Sequence, residues 1–290
     1  MNKKKLFCFG IGKVAFQLSL KLLDKGWSVH GTCRTEERKK FLENEGLKVV
    51  KFFPDKKIPY ITDELDNSTH ILVSIPPDSN GCLVVRFYER EISNLLNRVW
   101  LGYISSTSVY GHHGERWVDE LTKPTPGTKM GMHRLISENQ WKSISEKNSI
   151  NLQIFRSGGI YSSKTNQIEK FKNSSIEKPI IRDNIKFNRI HQDDLVGVIL
   201  SAFKKDDESN IFNVVDDKPA SMWEQAQFVC KELSIPLPNN IQLNRAILTE
   251  KQKEFYKEMK LVKNDLIKKK LGYKLLYPSY KEGFKAILGI

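Results

Sequence analysis

Long apolar runs are missing from this 290-residue chain. No stretch approaches the roughly 18 to 20 uninterrupted apolar residues of a membrane span, so a spanning helix is not expected. Cysteine is scarce: Cys8, Cys33, Cys82 and Cys230 stand apart, with no pair at metal-ligand spacing. That sets aside a disulfide framework and a cysteine-based metal site, and free thiols in a reducing cytosol are the expectation. The sequons Asn67-Ser68-Thr69 and Asn173-Ser174-Ser175 are then chance matches. Internal repeats, low-complexity tracts and long linkers are absent as well. Met1-Asn2-Lys3-Lys4-Lys5 has the basic start of a signal peptide, but Gly10, Gly12 and Lys13 break the apolar run behind it, which argues against one.

Acidic residues are too few to balance the basic ones: 34 Asp and Glu face 47 Lys and Arg, a net charge of +13. Nucleic-acid binding is the sharp reading of that excess. The lysines, however, spread along the whole chain and do not alternate with aromatics, so solvated surfaces are the better one. Residues 250–270 hold the densest patch. Its Glu250, Glu254, Glu258 and Asp265 fall at helical spacings from lysines, so a salt-bridged, exposed helix is expected over 249–271.

With 39% hydrophobic residues, the chain can bury one large core or a nucleotide domain with a smaller appendage. Strand and helix signals alternate, which calls for a parallel sheet with crossover helices. Strands are expected at 6–9, 27–33, 47–53, 70–75, 99–105 and 152–155. Helices between them cover 11–25, 35–44, 83–96 and 129–145. Beyond residue 160 the pattern loosens, with helices at 194–203 and 221–233 and a strand at 211–215. Lys186–His191 should pair with an unidentified partner. The expected organisation is a core over 1–160, and a lobe over 161–290 interleaved with the core's end.

Phe9-Gly10-Ile11-Gly12-Lys13-Val14-Ala15 falls where the first strand hands over to the first helix. Gly10 permits the tight turn, Gly12 lets a pyrophosphate approach the backbone, and Ala15 lets the helix pack on the strand. Lys13 and Val14 open that helix and complete the expected phosphate site. This strand–turn–helix context points to a Rossmann-type, doubly wound parallel α/β sheet with a small C-terminal substrate lobe. An NAD-preferring site usually carries Asp or Glu after the second strand. Here Arg34 and Thr35 stand there, suited to a 2′-phosphate, so NADP is expected before NAD.

Further segments carry a family resemblance. Ile71-Leu72-Val73-Ser74-Ile75-Pro76-Pro77, Tyr103-Ile104-Ser105-Ser106-Thr107-Ser108-Val109-Tyr110-Gly111 and Phe155-Arg156-Ser157-Gly158-Gly159-Ile160-Tyr161 are three of them. Asn188-Arg189-Ile190-His191-Gln192-Asp193-Asp194-Leu195 is another. Together with Phe212–Asp217 and Tyr277–Gly283, they resemble the extended and atypical short-chain dehydrogenase/reductases, the epimerase/dehydratases of nucleotide sugars. The resemblance implies that Ser74, Ile75 and Pro76 line the cofactor and that Ser106 is the catalytic serine. It also implies nicotinamide hydride transfer on a nucleotide-sugar-like or other hydroxylated small molecule.

The family's Tyr-x-x-x-Lys pair is where the chain departs. Its tyrosine position holds Met130 and its lysine position Arg134. A thioether has no proton to give, so the usual acid/base is missing. Three readings stay open: another donor beside Ser106, with His112, His113 and His133 as candidates; cofactor binding without the family reaction, Arg134 holding the ribose; or a different chemistry. Tyr110 is a fourth candidate acid, with a structural role expected of it. Asp119 and Glu120 are adjacent and should point apart. Asp193 or Asp194 is expected to cap a helix beside His191, with no metal. Arg156 and Arg189 suit either an anionic substrate group or buried ion pairs. The expected partner is a small molecule, with neither nucleic acid nor membrane; a homodimer is the open alternative for assembly, and the cytoplasm the expected location.

Overall fold

The computed structural model describes residues 4–95, 99–173, 178–205 and 209–290, with Lys251 described by its backbone alone. Met1-Asn2-Lys3, the expected helix end at Leu96 and the sequon residues Ser174 and Ser175 lie outside the described residues. The chain forms two compact units. One comprises Met1–Ser106, Met132–Arg156 and Val196–Phe212; the other comprises Thr107–Gly131, Ser157–Leu195 and Asn213–Ile290.

In chain order the first elements are β1 (Lys5–Phe9), α1 (Lys13–Leu23), β2 (Ser28–Cys33), α2 (Glu36–Asn44), β3 (Lys48–Lys51) and α3 (Pro59–Asp66). They continue with β4 (His70–Val73), α4 (Leu83–Ser93), β5 (Trp100–Ser106), β6 (Trp117–Val118), α5 (Lys129–Asn148), β7 (Leu152–Ser157) and β8 (Gly159–Tyr161). Next are α6 (Ile168–Lys172), β9 (Ile180–Ile181), β10 (Arg189–His191), α7 (Gln192–Ala202), β11 (Asn210–Val214) and α8 (Met222–Glu232). Last are β12 (Asn240–Ile241), α9 (Glu250–Tyr256), β13 (Leu261–Val262), α10 (Asp265–Lys269) and α11 (Tyr280–Leu288).

The first unit is built on a seven-stranded sheet in the order β11-β7-β5-β4-β1-β2-β3. The pairings β1 with β2, β1 with β4, β2 with β3 and β4 with β5 are parallel. Strand order reverses at β1, flanked by β2 and β4, and there open α/β sheets leave a crevice beyond the strands' carboxyl ends. The inner strands are apolar on both faces because helices cover both: Leu6, Phe7, Cys8, Phe9, Ile71, Leu72 and Val73 are all fully buried. Phe7, Tyr88, Leu101, Tyr103 and Trp141 belong to the core on one side of the sheet. Helix α3, which the sequence reading missed, starts on Pro59 and buries Ile61 and Leu65, one turn apart. Its Glu64 reaches His30 and sits 2.9 Å from Lys5 Nζ, so the helix is stabilised by tertiary contacts that local pattern does not reveal.

The second unit is assembled from short parallel pairs: β8 with β10, β9 with β12 and β6 with β13. Of Lys186–His191, Arg189–His191 pair with β8 and Phe187 bridges Ala220. Its core gathers Tyr161, Phe171, Ile180, Met222, Val229 and Phe284. Ser221 and Ser279 head α8 and α11 with complete capping boxes. The continuous helix expected over 249–271 is not formed: α9 stops at Tyr256, β13 follows, and α10 is separate. Glu258 and Lys260 turn inward as an ion pair at 2.9 Å, and Glu258 accepts from the Gly127 amide at 2.7 Å. Asp194 does not cap a helix either. Its carboxylate accepts from Tyr273 Oη at 2.9 Å and from the amides of Leu276 and Tyr277 at 2.7 and 3.0 Å.

His70 lies among Trp27, Trp100 and Phe203, and burial pushes its pKa down to about 3. The folded protein therefore holds a neutral imidazole that the unfolded chain protonates below pH 6.5. Stability is fully present above that pH and is lost as pH falls through this window. Between pH 7.5 and 5 the loss attributable to His70 is about 2 kcal/mol. Urea denaturation of wild type and His70→Phe checks it: the difference between the two pH values shrinks by that amount in the variant, and an unchanged difference refutes it.

Candidate functional site

Beyond the carboxyl ends of β1, β2 and β4, the first unit holds a cavity of about 620 Å³. Its floor is the glycine turn. Gly10 has φ +90°, the left-handed region that glycine tolerates, and its amide donates to Thr32 Oγ1 at 2.8 Å. Ile11 donates to the Thr32 carbonyl at 2.7 Å, and Ser74 Oγ donates to the Gly10 carbonyl. A Cβ at Gly10 would stand 2.8 Å from Ile75 Cγ1, so conformation and space both demand glycine. A Cβ at Gly12 would meet nothing within 4 Å. Glycine at 12 is therefore not required by the fold and leaves open the space above the turn.

Gly12 also heads α1 without a side-chain cap, and the first turn carries no acidic residue. In α2, by contrast, Thr35 Oγ1 accepts from the Arg38 amide at 3.2 Å, and Glu36 and Glu37 occupy the first turn. The positive end of α1 is thus left for a ligand anion.

The cavity gathers Gly10, Gly12, Arg34, Thr35, Ser74, Ile75 and Pro76 of the expected cofactor residues. Lys13 and Val14 open α1 but do not line it, and neither does Arg134. The sequence reading passed over Arg38, Phe52 and Leu83, which do line it. Arg38 packs its guanidinium over Phe16 and Phe41, 5.1 and 4.9 Å from their ring centres, and Nη2 donates to the Ile11 carbonyl at 3.3 Å. Its signal was present: it lies one helical turn after Arg34, at the third position of α2, and so on the same end of the helix.

Of the expected catalytic positions, Ser106 ends β5 and Arg134 reaches that strand from α5. Ser106 is half-buried. Its neighbour Ser105 donates to Glu138 Oε1 at 2.6 Å, and Glu138 is ion-paired with Arg156 at 2.7 Å. Arg156 is therefore an internal counter-ion, fully buried, and its candidacy for an anionic substrate group falls away. Arg134 Nη1 donates to the Ile104 carbonyl at 2.7 Å and to Tyr103 Oη at 3.1 Å, which fixes α5 against β5. Burial pushes the Tyr103 phenol upward. Met130, at the start of α5, is 55% exposed.

In the second unit, Tyr110 is fully buried and donates to Asn213 Oδ1 at 2.8 Å, a structural part. Asp119 accepts from Leu121 and Thr122, whereas Glu120 accepts from the Asn213 amide at 2.8 Å; they do not act as a pair. His112 Nδ1 accepts from the Met259 amide at 3.1 Å, and the His113 ring lies 3.0 Å from the Tyr110 carbonyl. Among the described residues no group of three or more His, Cys, Asp or Glu could hold a metal, and no helix is long and apolar enough to cross a membrane.

The two glycines separate experimentally. Gly10→Ala destabilises the protein by about 1–3 kcal/mol through overpacking and the unfavourable φ, whereas Gly12→Ala leaves the melting temperature within about a degree. Thermal denaturation of both variants is the check, and equal losses would contradict this account of the turn.

No protein-family model and no curated protein sequence matches the chain. A functionally unknown conserved protein from Silicibacter pomeroyi DSS is 32% identical, with 99% of both chains covered and a TM-score of 0.90. UDP-glucuronic acid 4-epimerase from Bacillus cereus, in complex with UDP-glucuronic acid and NAD, is 16% identical over 98% of each chain, with a TM-score of 0.74. dTDP-glucose 4,6-dehydratase from Bacillus anthracis, in complex with NAD, is 11% identical over 99% of this chain and 96% of that one, with a TM-score of 0.75. The chain belongs to the family of the Silicibacter pomeroyi protein, on the α/β fold that NAD-dependent nucleotide-sugar epimerases and dehydratases share.

Proposed function

We propose that this protein is an NAD(P)-binding oxidoreductase or epimerase, with NADP preferred, that acts on a nucleotide-sugar-like or other hydroxylated small molecule. One observation carries the reading: a single cavity joins the bare glycine turn to Arg34 and Arg38. A dinucleotide laid along it puts its pyrophosphate against the uncapped start of α1 and its adenosine end against two guanidinium groups. The Bacillus proteins hold NAD, and one holds UDP-glucuronic acid, which supports a nicotinamide dinucleotide and a nucleotide-sugar class of substrate. Four buried cysteines without disulfides suit a reducing cytosol.

Bound nicotinamide supplies the hydride chemistry. The chain's own part is to orient and polarise. Thr32, Ser74 and Ile75 hold the glycine turn in shape. Arg34 and Arg38 bind a 2′-phosphate as charge-assisted donors. Ser106 donates a hydrogen bond to the reacting oxygen. With a thioether at Met130, no side chain at that position can exchange the oxygen's proton. A second reading, a non-catalytic dinucleotide sensor, is favoured by one observation: Arg134 spends Nη1 on the Ile104 carbonyl and the Tyr103 hydroxyl.

Calorimetric titration with NADPH and NADH tests cofactor choice. NADPH binds at least about tenfold more tightly, the worth of one charge-assisted hydrogen bond. Arg34→Ala and Arg38→Ala each remove about that factor for NADPH and leave NADH within about twofold. Equal or tighter NADH binding refutes the preference.

Activity is tested by following reduced-nicotinamide absorbance with NADP⁺ and a panel of sugar nucleotides. Turnover by the wild type supports the enzyme. An inert wild type that gains turnover on combining Met130→Tyr with Arg134→Lys establishes the sensor instead.

A further inference from the structure

Arg34 lines the cavity, and of Arg38, Arg134, Arg156 and Arg189 the first three are accounted for as well. Arg156 meets Glu138, Arg134 meets the β5 backbone, and Arg38 packs on two phenyl rings and lines the cavity. Arg189, on β10 in the second unit, is different. It is only 9% exposed, yet among the described residues no Asp or Glu forms an ion pair with it. Nη2 donates to the Met222 thioether at 3.1 Å, a weak acceptor. Nε is buried and has no partner. Nη1 lies 3.8 Å from where a Cβ would stand on Gly159, its neighbour across the β8–β10 pair.

The groups whose charges Arg189 feels are Asp216, Tyr161 and Tyr256. Asp216 is 1% exposed, and its Oδ2 also lacks a partner. Burial holds that carboxyl above the usual carboxylate range, and the Arg189 charge pulls it back down. The Tyr161 hydroxyl is a third orphan in the same cluster, and burial keeps its proton in place. A guanidinium stays charged throughout. The cluster is thus a buried cation with an unfilled donor, beside a carboxyl and a hydroxyl that also have unfilled polar atoms. Such a cation is strongly unfavourable unless an anion meets it.

Gly159 supplies the way in. It is exposed, and a Cβ there would make only ordinary contacts, 3.6 Å from the Asn188 carbonyl oxygen and 3.8 Å from Nη1. The fold does not need glycine at this point; an approach to the guanidinium does.

We propose that Arg189 anchors an oxyanion site in the second unit, which takes a phosphate or carboxylate group of the ligand over the bare backbone of Gly159. Its planar fork of donors matches either group bidentately. Only the identity of that ligand with the substrate rests on the function proposed above; the site itself does not.

The test uses the full-length protein with pyrophosphate and citrate as probes, read by thermal shift and calorimetry. One probe or both raise the melting temperature of the wild type and of Gly12→Ala, in which the glycine turn is obstructed. The effect is lost in Arg189→Met and in Gly159→Val. The unliganded melting temperature of Arg189→Met equals or exceeds that of wild type, because an unpaired buried charge has been removed. Response to pyrophosphate alone assigns a phosphate, and response to citrate alone assigns a carboxylate. The proposal is overturned if neither probe acts on wild type, if the effect disappears in Gly12→Ala, or if it persists in Arg189→Met. It is equally overturned if Arg189→Met melts well below wild type, which would make the cation a structural one. NADPH titrated in parallel keeps the two readings apart: probe binding without NADPH binding removes the proposed function and leaves the oxyanion site standing.

Discussion

At Gly10 the backbone must leave a fully buried strand and start a helix within three residues, with no side chain to help it. The positive φ is held by donors and acceptors brought from elsewhere: Thr32 of β2 takes the Gly10 amide and the Ile11 amide, and Ser74 beyond β4 caps the Gly10 carbonyl. Gly31 is part of the same arrangement. A Cβ there would lie 2.4 Å from the Cys8 carbonyl oxygen, so β2 can run this close to the turn only as glycine. With the turn closed by its neighbours, the start of α1 needs no cap from its own chain. The anion-binding capacity of the site is what remains when the local backbone has been satisfied and the helix end has not.

The same principle separates the arginines. A guanidinium is equally charged wherever it lies, but its role depends on what the fold places beside it. Arg156 and Ser105 both converge on Glu138, closing a buried network in which each charge is answered. Arg134 is drawn to a backbone carbonyl and serves as a brace between α5 and β5. Arg38 is held by two aromatic faces at the cavity wall, pre-positioned with little entropy left to lose on meeting a ligand. Arg189 is buried with its Nε unpartnered, and that sets it apart from the Arg156 ion pair.

Met130, at the position where the resembled family has its acid/base phenol, is read against the same comparison. Arg134 keeps a positive charge at the position where the resembled family has its lysine, but one donor nitrogen is committed to β5.

Much of this was legible without a structure. The period-free apolar runs of β1 and β4 announce strands buried on both faces, and Gly10, Gly12 and Ala15 announce the turn, because these features are local: each follows from steric limits within a few residues. What the linear pattern could not supply is the partner of each polar group. Residues 249–271 have helical charge spacing, yet Glu258 is drawn to Gly127 and Leu261–Val262 to Trp117–Val118, more than a hundred residues earlier. Asp194 reads as a helix cap until Tyr273 and the amides of Leu276 and Tyr277 take its oxygens. Sequence by itself determined the sheet and the glycine turn. Tertiary structure decided which charges are answered and which wait for a ligand, since desolvation and pairing depend on distances that exist only once the chain has closed on itself.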